Sequence, residues 1–156
     1  MRLVGGGGLP ETYLPPGGLF AAPAPCVIGT LVGSCVAVTL WCPSARVGGM
    51  NHYLLPHGPN AEGSMRYGDT ALALLWTRLL LLGASPDGLE ARVYGGAAMA
   101  PVEAMRLGRD NVQLARSWLG THGIAIVDED VLGNRARRVE LDVTTGAVRV
   151  GRVGAA

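Results

Sequence analysis

Val27-Ile28-Gly29-Thr30-Leu31, Val36-Ala37-Val38-Thr39-Leu40-Trp41 and Val47-Gly48-Gly49-Met50-Asn51-His52-Tyr53-Leu54-Leu55 decide the reading of this chain. Each run is rich in β-branched and aliphatic residues and is bounded by turn formers, so all three predict strands. Pro43 to Arg46 supplies the turn between the second and third, which makes those two a hairpin. Gly33-Ser34-Cys35 interrupts the first two runs and predicts a bend.

Outward from this block the pattern alternates between strands and two helices. Leu72, Leu75, Trp76, Leu79 and Leu82 recur at spacings of three and four, predicting a helix over 70–82 with Asp69 as its N-cap and Gly83 as its stop. Leu89 to Tyr94 predicts a strand closed by Gly95-Gly96. A second helix is predicted from about Gly108 to His122, with Leu107, Asn111, Leu114, Ala115 and Trp118 on one face. Ile124 to Val127 reads as a short buried strand, followed by an Asp128-Glu129-Asp130 turn. Val139, Leu141 and Val143 alternate with Arg138, Glu140 and Asp142, and Thr144-Thr145-Gly146 turns the chain into Ala147 to Val150, a hairpin. This order predicts an α+β fold: mixed or antiparallel, sandwich-like sheets with two main amphipathic helices packed on them.

A chain of 156 residues with 49% hydrophobic content supports one core. Residues 1–25 are rich in Gly and Pro and predict an irregular arm, with a short strand at Gly18 to Ala21; residues 26–156 form the single domain. Charged residues make up 16% and the net charge is +1, so no field favours a nucleic-acid partner. No apolar run reaches membrane-spanning or signal-peptide length. Cys26, Cys35 and Cys42 are an odd set without a Cys-x-x-Cys pair, which fits a reducing cytoplasm better than a disulfide framework.

Cys35 and His52 can do chemistry together. A cysteine at a bend lies where backbone amides can converge on a developing oxyanion, and its thiol needs a base at neutral pH. The return leg of the predicted hairpin carries His52 back beside Cys35. A lone cysteine in an apolar segment is also met as a small core residue, and pattern alone leaves both readings open. A zinc set of Cys26, Cys35, Cys42 and His52 matches no familiar spacing. His57 reads as a loop residue, His122 as a helix C-terminus, and Trp76 and Trp118 as core. Arg135, Arg137 and Arg138 read as the solvent side of a strand. Gly5 to Gly8 lacks the Lys-Ser/Thr of a phosphate loop and reads as flexible.

Gly33-Ser34-Cys35-Val36-Ala37-Val38 and Gly48-Gly49-Met50-Asn51-His52-Tyr53-Leu54-Leu55-Pro56 closely resemble the CheD family of chemoreceptor glutamine deamidases. Arg66-Tyr67-Gly68-Asp69, Tyr94-Gly95-Gly96-Ala97, Gly108-Arg109-Asp110-Asn111 and Gly133-Asn134-Arg135-Ala136-Arg137 follow in the family's order. The resemblance covers about Cys26 to Val150. It implies a cysteine-hydrolase type of fold and a protein-glutamine glutaminase that needs no cofactor and no metal. Its substrates would be chemoreceptor cytoplasmic domains, and a CheC-type phosphatase would be a further partner. Cys35 would attack the carboxamide carbon, and His52 would protonate the departing ammonia and then activate water against the thioester. Gly33 and Ser34, with Cys35, are our inferred oxyanion donors, read from the turn. The family orients its histidine with a threonine six residues before the cysteine. That position is Gly29 here, and Thr30 is its neighbour. A one-residue slip on a strand changes face, so Thr30 would need a bulge, or another group would orient His52. Two other readings stand beside the deamidase: a non-catalytic module that docks on receptors or a phosphatase, and a thiol hydrolase acting on a receptor methylester.

Overall fold

The computed structural model describes residues 2–4, 9–58 and 63–154. The Gly5 to Gly8 run lies outside them. Among the described residues ten strands and two long helices form three layers. The strands are β1 (Arg2–Val4), β2 (Pro10–Leu14), β3 (Leu19–Pro23), β4 (Val27–Val32), β5 (Val36–Cys42), β6 (Val47–Tyr53), β7 (Glu90–Gly95), β8 (Ala125–Val131), β9 (Ala136–Asp142) and β10 (Val148–Val153). The helices are α1 (Gly68–Leu81) and α2 (Val102–Thr121). One sheet runs β1-β2-β4-β9-β10 and the other β3-β6-β5-β7-β8. Pairing is antiparallel except between β2 and β4 and between β7 and β8. This is the α+β, mixed-sheet sandwich expected.

Patterning explains the layers. In β4, Ile28, Thr30 and Val32 are buried while Leu31 faces solvent, the alternation of a sheet covered on one side. β6 is buried at every position and β5 nearly so, because their sheet lies between the other sheet and the helices. Ile28, Val32, Val139 and Leu141 meet Ala37, Met50 and Tyr94 between the sheets. Leu72, Leu75 and Leu79 of α1 cover the opposite face with Val112, Ala115 and Leu119 of α2. Each fully buried leucine stabilises the fold by roughly 2 kcal/mol. Gly49 makes the helix layer possible: a Cβ there would lie 2.6 Å from both a Leu75 methyl and the Phe20 carbonyl oxygen.

Five expectations are corrected. The Gly/Pro-rich start holds more than the one short strand expected at Gly18 to Ala21: β3 falls there and pairs with β6, and β2 in addition pairs with β4. Its prolines sit at strand edges and in the Pro15-Pro16 turn, where no ladder donor is needed. Tyr67, not Asp69, occupies the N-cap of α1; Asp69 lies in the first turn, favourable to the helix dipole. α2 begins at Val102, a turn and a half before Gly108, directly after Pro101. Asp128, Glu129 and Asp130 lie within β8, each held by a side chain from another element: Tyr94, Arg116, and Arg137 with Arg152. Trp76 and Trp118 are half-buried rather than core, and Trp118 stacks on His122 with ring centroids 3.8 Å apart. Among the described residues no helix is long and apolar enough to cross a membrane.

Candidate active site

β5 and β6 form the expected hairpin, with Ala37 opposite His52 and Val36 opposite Tyr53. Directly opposed residues share a face, so His52 points with Ala37 into the space between the sheets. Cys35, two residues before Ala37, continues that face and packs against the same cluster. It is the diagonal neighbour of His52, a relation that sets Cβ atoms about 7 Å apart, within reach of a thiol and an imidazole.

β4 supplies the group that orients the imidazole. Thr30 is 1% exposed, and its hydroxyl lies 2.7 Å from His52 Nδ1 and 2.8 Å from the Leu14 carbonyl oxygen. That carbonyl can only accept, so the hydroxyl proton goes to Leu14 and the oxygen accepts from Nδ1–H. The tautomer that results leaves the Nε2 lone pair open. Nε2 is buried and has no hydrogen-bond partner among the described residues. No bulge is required: the β2–β4–β9 registers run without a shift, and Thr30 belongs to the inward set with Ile28 and Val32. Gly29, on the other face, packs toward β9.

The turn between β2 and β3 fixes the main chain of His52. Gly17 N–H donates to the His52 carbonyl at 2.8 Å, and His52 N–H donates to the Gly18 carbonyl at 3.0 Å. Gly17 has φ +83°, and a Cβ on Gly18 would lie 2.8 Å from the Pro15 carbonyl oxygen. The Gly/Pro-rich segment therefore positions His52 twice, through this turn and through Leu14.

The cysteine bend is pinned by its carbonyls. Those of Gly33 and Cys35 accept from Ala97 N–H and Gly96 N–H, both at 2.9 Å, and that of Ser34 accepts from Asn111 Nδ2 at 3.2 Å. Gly95 must be glycine: φ is +110°, and a Cβ would sit 2.3 Å from the Cys35 carbonyl oxygen. Burial pushes the half-buried Cys35 thiol upward, while its own backbone amide lies against the sulfur and opposes the shift. Burial also lowers His52 to about 4. At neutral pH the pair is therefore thiol and neutral imidazole, the protonation state in which Nε2 can take a proton.

Two further polar groups around the bend escaped the sequence reading. Asn111 appeared only as a helix-face residue, although a carboxamide among leucines and alanines signals a buried partner. Arg137 was expected on the solvent side of β9 but is 3% exposed, pairing with Asp130 at 3.2 Å and donating to the Gly95 carbonyl at 3.4 Å. Two charges already face each other there, so the inward arginine is compensated. Arg138 is exposed as expected. His57 is exposed and lies 3.7 Å from Asp69. Cys42 faces the helix layer, away from Cys35, and among the described residues no group of three or more His, Cys, Asp or Glu could hold a metal.

Comparison with known proteins places these features in a context. A family profile described as CheD chemotactic sensory transduction matches residues 54–152. The chain is 42% identical over 144 residues to the probable chemoreceptor glutamine deamidase CheD of Rhodospirillum rubrum, covering 91% of this chain and 82% of that protein. It is 43% identical over 148 residues to the probable chemoreceptor glutamine deamidase CheD 1 of Anaeromyxobacter dehalogenans, covering 94% and 86%. To the chemoreceptor glutamine deamidase CheD of Thermotoga maritima it is 42% identical over 132 residues, covering 83% and 84%. Aligned spans of the first two lengths necessarily include Cys35 and His52, which precede the profile match.

Proposed function

The chain belongs to the CheD family, and from that premise we propose that it hydrolyses glutamine side chains of chemoreceptor cytoplasmic domains to glutamate, with Cys35 as nucleophile and His52 as general acid and base. One observation carries the reading. Thr30 holds Nδ1 of a buried, neutral His52 at 2.7 Å, and Nε2, on the face that Cys35 shares, has no partner among the described residues.

The steps follow from that geometry. As the carboxamide carbon approaches, the Cys35 thiol proton passes to His52 Nε2 and the sulfur bonds to carbon. Charge develops on the carbonyl oxygen. The carbonyls of Gly33 and Ser34 are taken up inward, and across the same trans peptides the N–H groups of Ser34 and Cys35 point the opposite way, so we assign these two as the donors that face it. The imidazolium then gives its proton to the amide nitrogen, the C–N bond breaks, and ammonia leaves. Water replaces it, loses a proton to Nε2 and attacks the thioester, and the returning proton restores the thiol as glutamate departs. Thr30 and Leu14 keep the ring in one tautomer through both halves. No cofactor or metal enters the cycle. The substrate implies a cytoplasmic enzyme, and a CheC-type phosphatase is the further partner proposed.

The test is incubation of a chemoreceptor cytoplasmic fragment with wild-type protein and with Cys35→Ala, reading ammonia release and glutamine-to-glutamate conversion by peptide mass spectrometry. Conversion with wild type alone supports the reading. Binding of the fragment without conversion by wild type identifies a docking module, and methanol release from a methylated fragment identifies an esterase.

A further inference from the structure

α2 reaches both halves of the site. Gly108 lets it approach, since a Cβ there would lie 2.6 Å from the Gly96 carbonyl oxygen and 2.8 Å from that of Ala97. Gly96 and Ala97 are the residues whose N–H groups hold the Cys35 and Gly33 carbonyls. One turn further along, Asn111 is fully buried, and its side-chain Nδ2 donates to the Ser34 carbonyl at 3.2 Å and to the Leu54 carbonyl at 2.9 Å. Its own main-chain carbonyl accepts from the Tyr53 hydroxyl at 2.6 Å. Ser34 directly precedes Cys35, while Tyr53 and Leu54 directly follow His52. The amide orientation is set by its partners: turned over, it would present Oδ1 to two carbonyl oxygens.

We propose that Asn111 is a positioning residue that clamps the cysteine bend to the end of the histidine strand and so sets the separation of Cys35 and His52. The role rests on the dyad reading given above, and it places a determinant of turnover in a helix that contributes no reacting atom. Ser34 and Leu54 belong to segments with no ladder bond to one another, because β5 begins at Val36 and β6 ends at Tyr53. Beyond the ends of the ladder the bend is held by α2 and the β7 turn. Losing both Nδ2 bonds frees the cysteine half relative to the histidine half, and a displacement near 1 Å is enough to lower turnover about 100-fold.

The test uses Asn111→Leu, which keeps the branching and the number of side-chain heavy atoms, and Asn111→Asp, which keeps the shape and removes the NH2 donor. Both are expected to lower kcat about 100-fold on a receptor fragment, with KM within about twofold and cooperative unfolding retained. A folded variant with kcat within about threefold of wild type overturns the proposal. Alkylation of Cys35 by iodoacetamide, which needs no receptor, separates this from the deamidase reading. Asn111→Leu is expected to move its pH midpoint down toward an ordinary thiol as the bend opens to water, and an unmoved midpoint overturns the clamp even if wild type proves inactive on receptors. If neither variant folds, NMR of wild type decides: slow exchange of the Asn111 side-chain NH2 supports the clamp, and exchange at the rate of a solvated amide overturns it.

Discussion

Replacing Thr30 by Val removes one oxygen and leaves the shape of the side chain in place. The hydroxyl sits 2.7 Å from His52 Nδ1 and 2.8 Å from the Leu14 carbonyl oxygen, in a position 1% exposed. The valine variant strands one donor and one acceptor where water does not reach, at about 1–3 kcal/mol each. Stability is expected to fall by roughly 2–4 kcal/mol, which for a domain of this size lowers Tm by roughly 5–15 °C. The effect on catalysis is separate. Without an acceptor at Nδ1, the proton is no longer held away from Nε2, and a ring protonated at Nε2 cannot take one from Cys35. General-base assistance is worth about 10²–10⁴-fold, and most of it is expected to go from kcat. Thr30→Ser keeps the hydroxyl and is expected to recover most of both losses. The assay is ammonia release from a receptor fragment well below the Tm of each variant, beside a thermal melt. A valine variant with kcat within about threefold of wild type refutes the orienting role, as does a serine variant as poor as the valine.

Other outcomes follow from the same geometry. His52 is held at about 4 by burial, against an ordinary value near 6.5, so the unfolded chain binds its proton first as pH falls. Stability from this group is complete above pH 6.5 and declines toward pH 4, by about 2–3 kcal/mol at pH 4.5; urea midpoints should show that slope in wild type and lose it in His52→Gln. Cys35 alkylation in the free protein is expected to keep rising through pH 9, because burial raises the thiol; a plateau near pH 7 would instead reveal a resting thiolate–imidazolium pair. Gly95→Ala drives a Cβ into the Cys35 carbonyl at a left-handed position. A loss of about 2–4 kcal/mol is expected, measured by denaturant unfolding, with turnover falling further than stability alone accounts for.

Local signals made much of this fold legible. Val36 to Trp41 and Val47 to Tyr53 are short apolar runs around a Pro43 turn, and the hairpin they predict brings His52 next to the start of β5. The α1 leucines and the β9–β10 alternation were readable for the same reason, since one buried face imposes a period. What stayed hidden depends on long-range pairing. β2 finds its partner in β4 through main-chain bonds that its Pro- and Gly-rich neighbours do not advertise, so a segment that looks irregular supplies Leu14, Gly17 and Gly18 to the histidine. Thr30 looked misplaced because its distance from Cys35 was counted along the chain. The two residues lie in different sheets, and the bend between them removes the parity that a single strand would impose. Arg137 alternated as if toward solvent, and only the position of Asp130 on β8 shows that its charge is met inside.

The most direct measurement is intact-protein mass spectrometry of acid-quenched mixtures of the protein and a chemoreceptor fragment, taken within the first turnover and mapped by digestion. Covalent capture at Cys35 with loss of ammonia, accumulating further in His52→Ala if acylation persists, is the result the account predicts. Deamidated receptor formed at the wild-type rate by Cys35→Ala would contradict it.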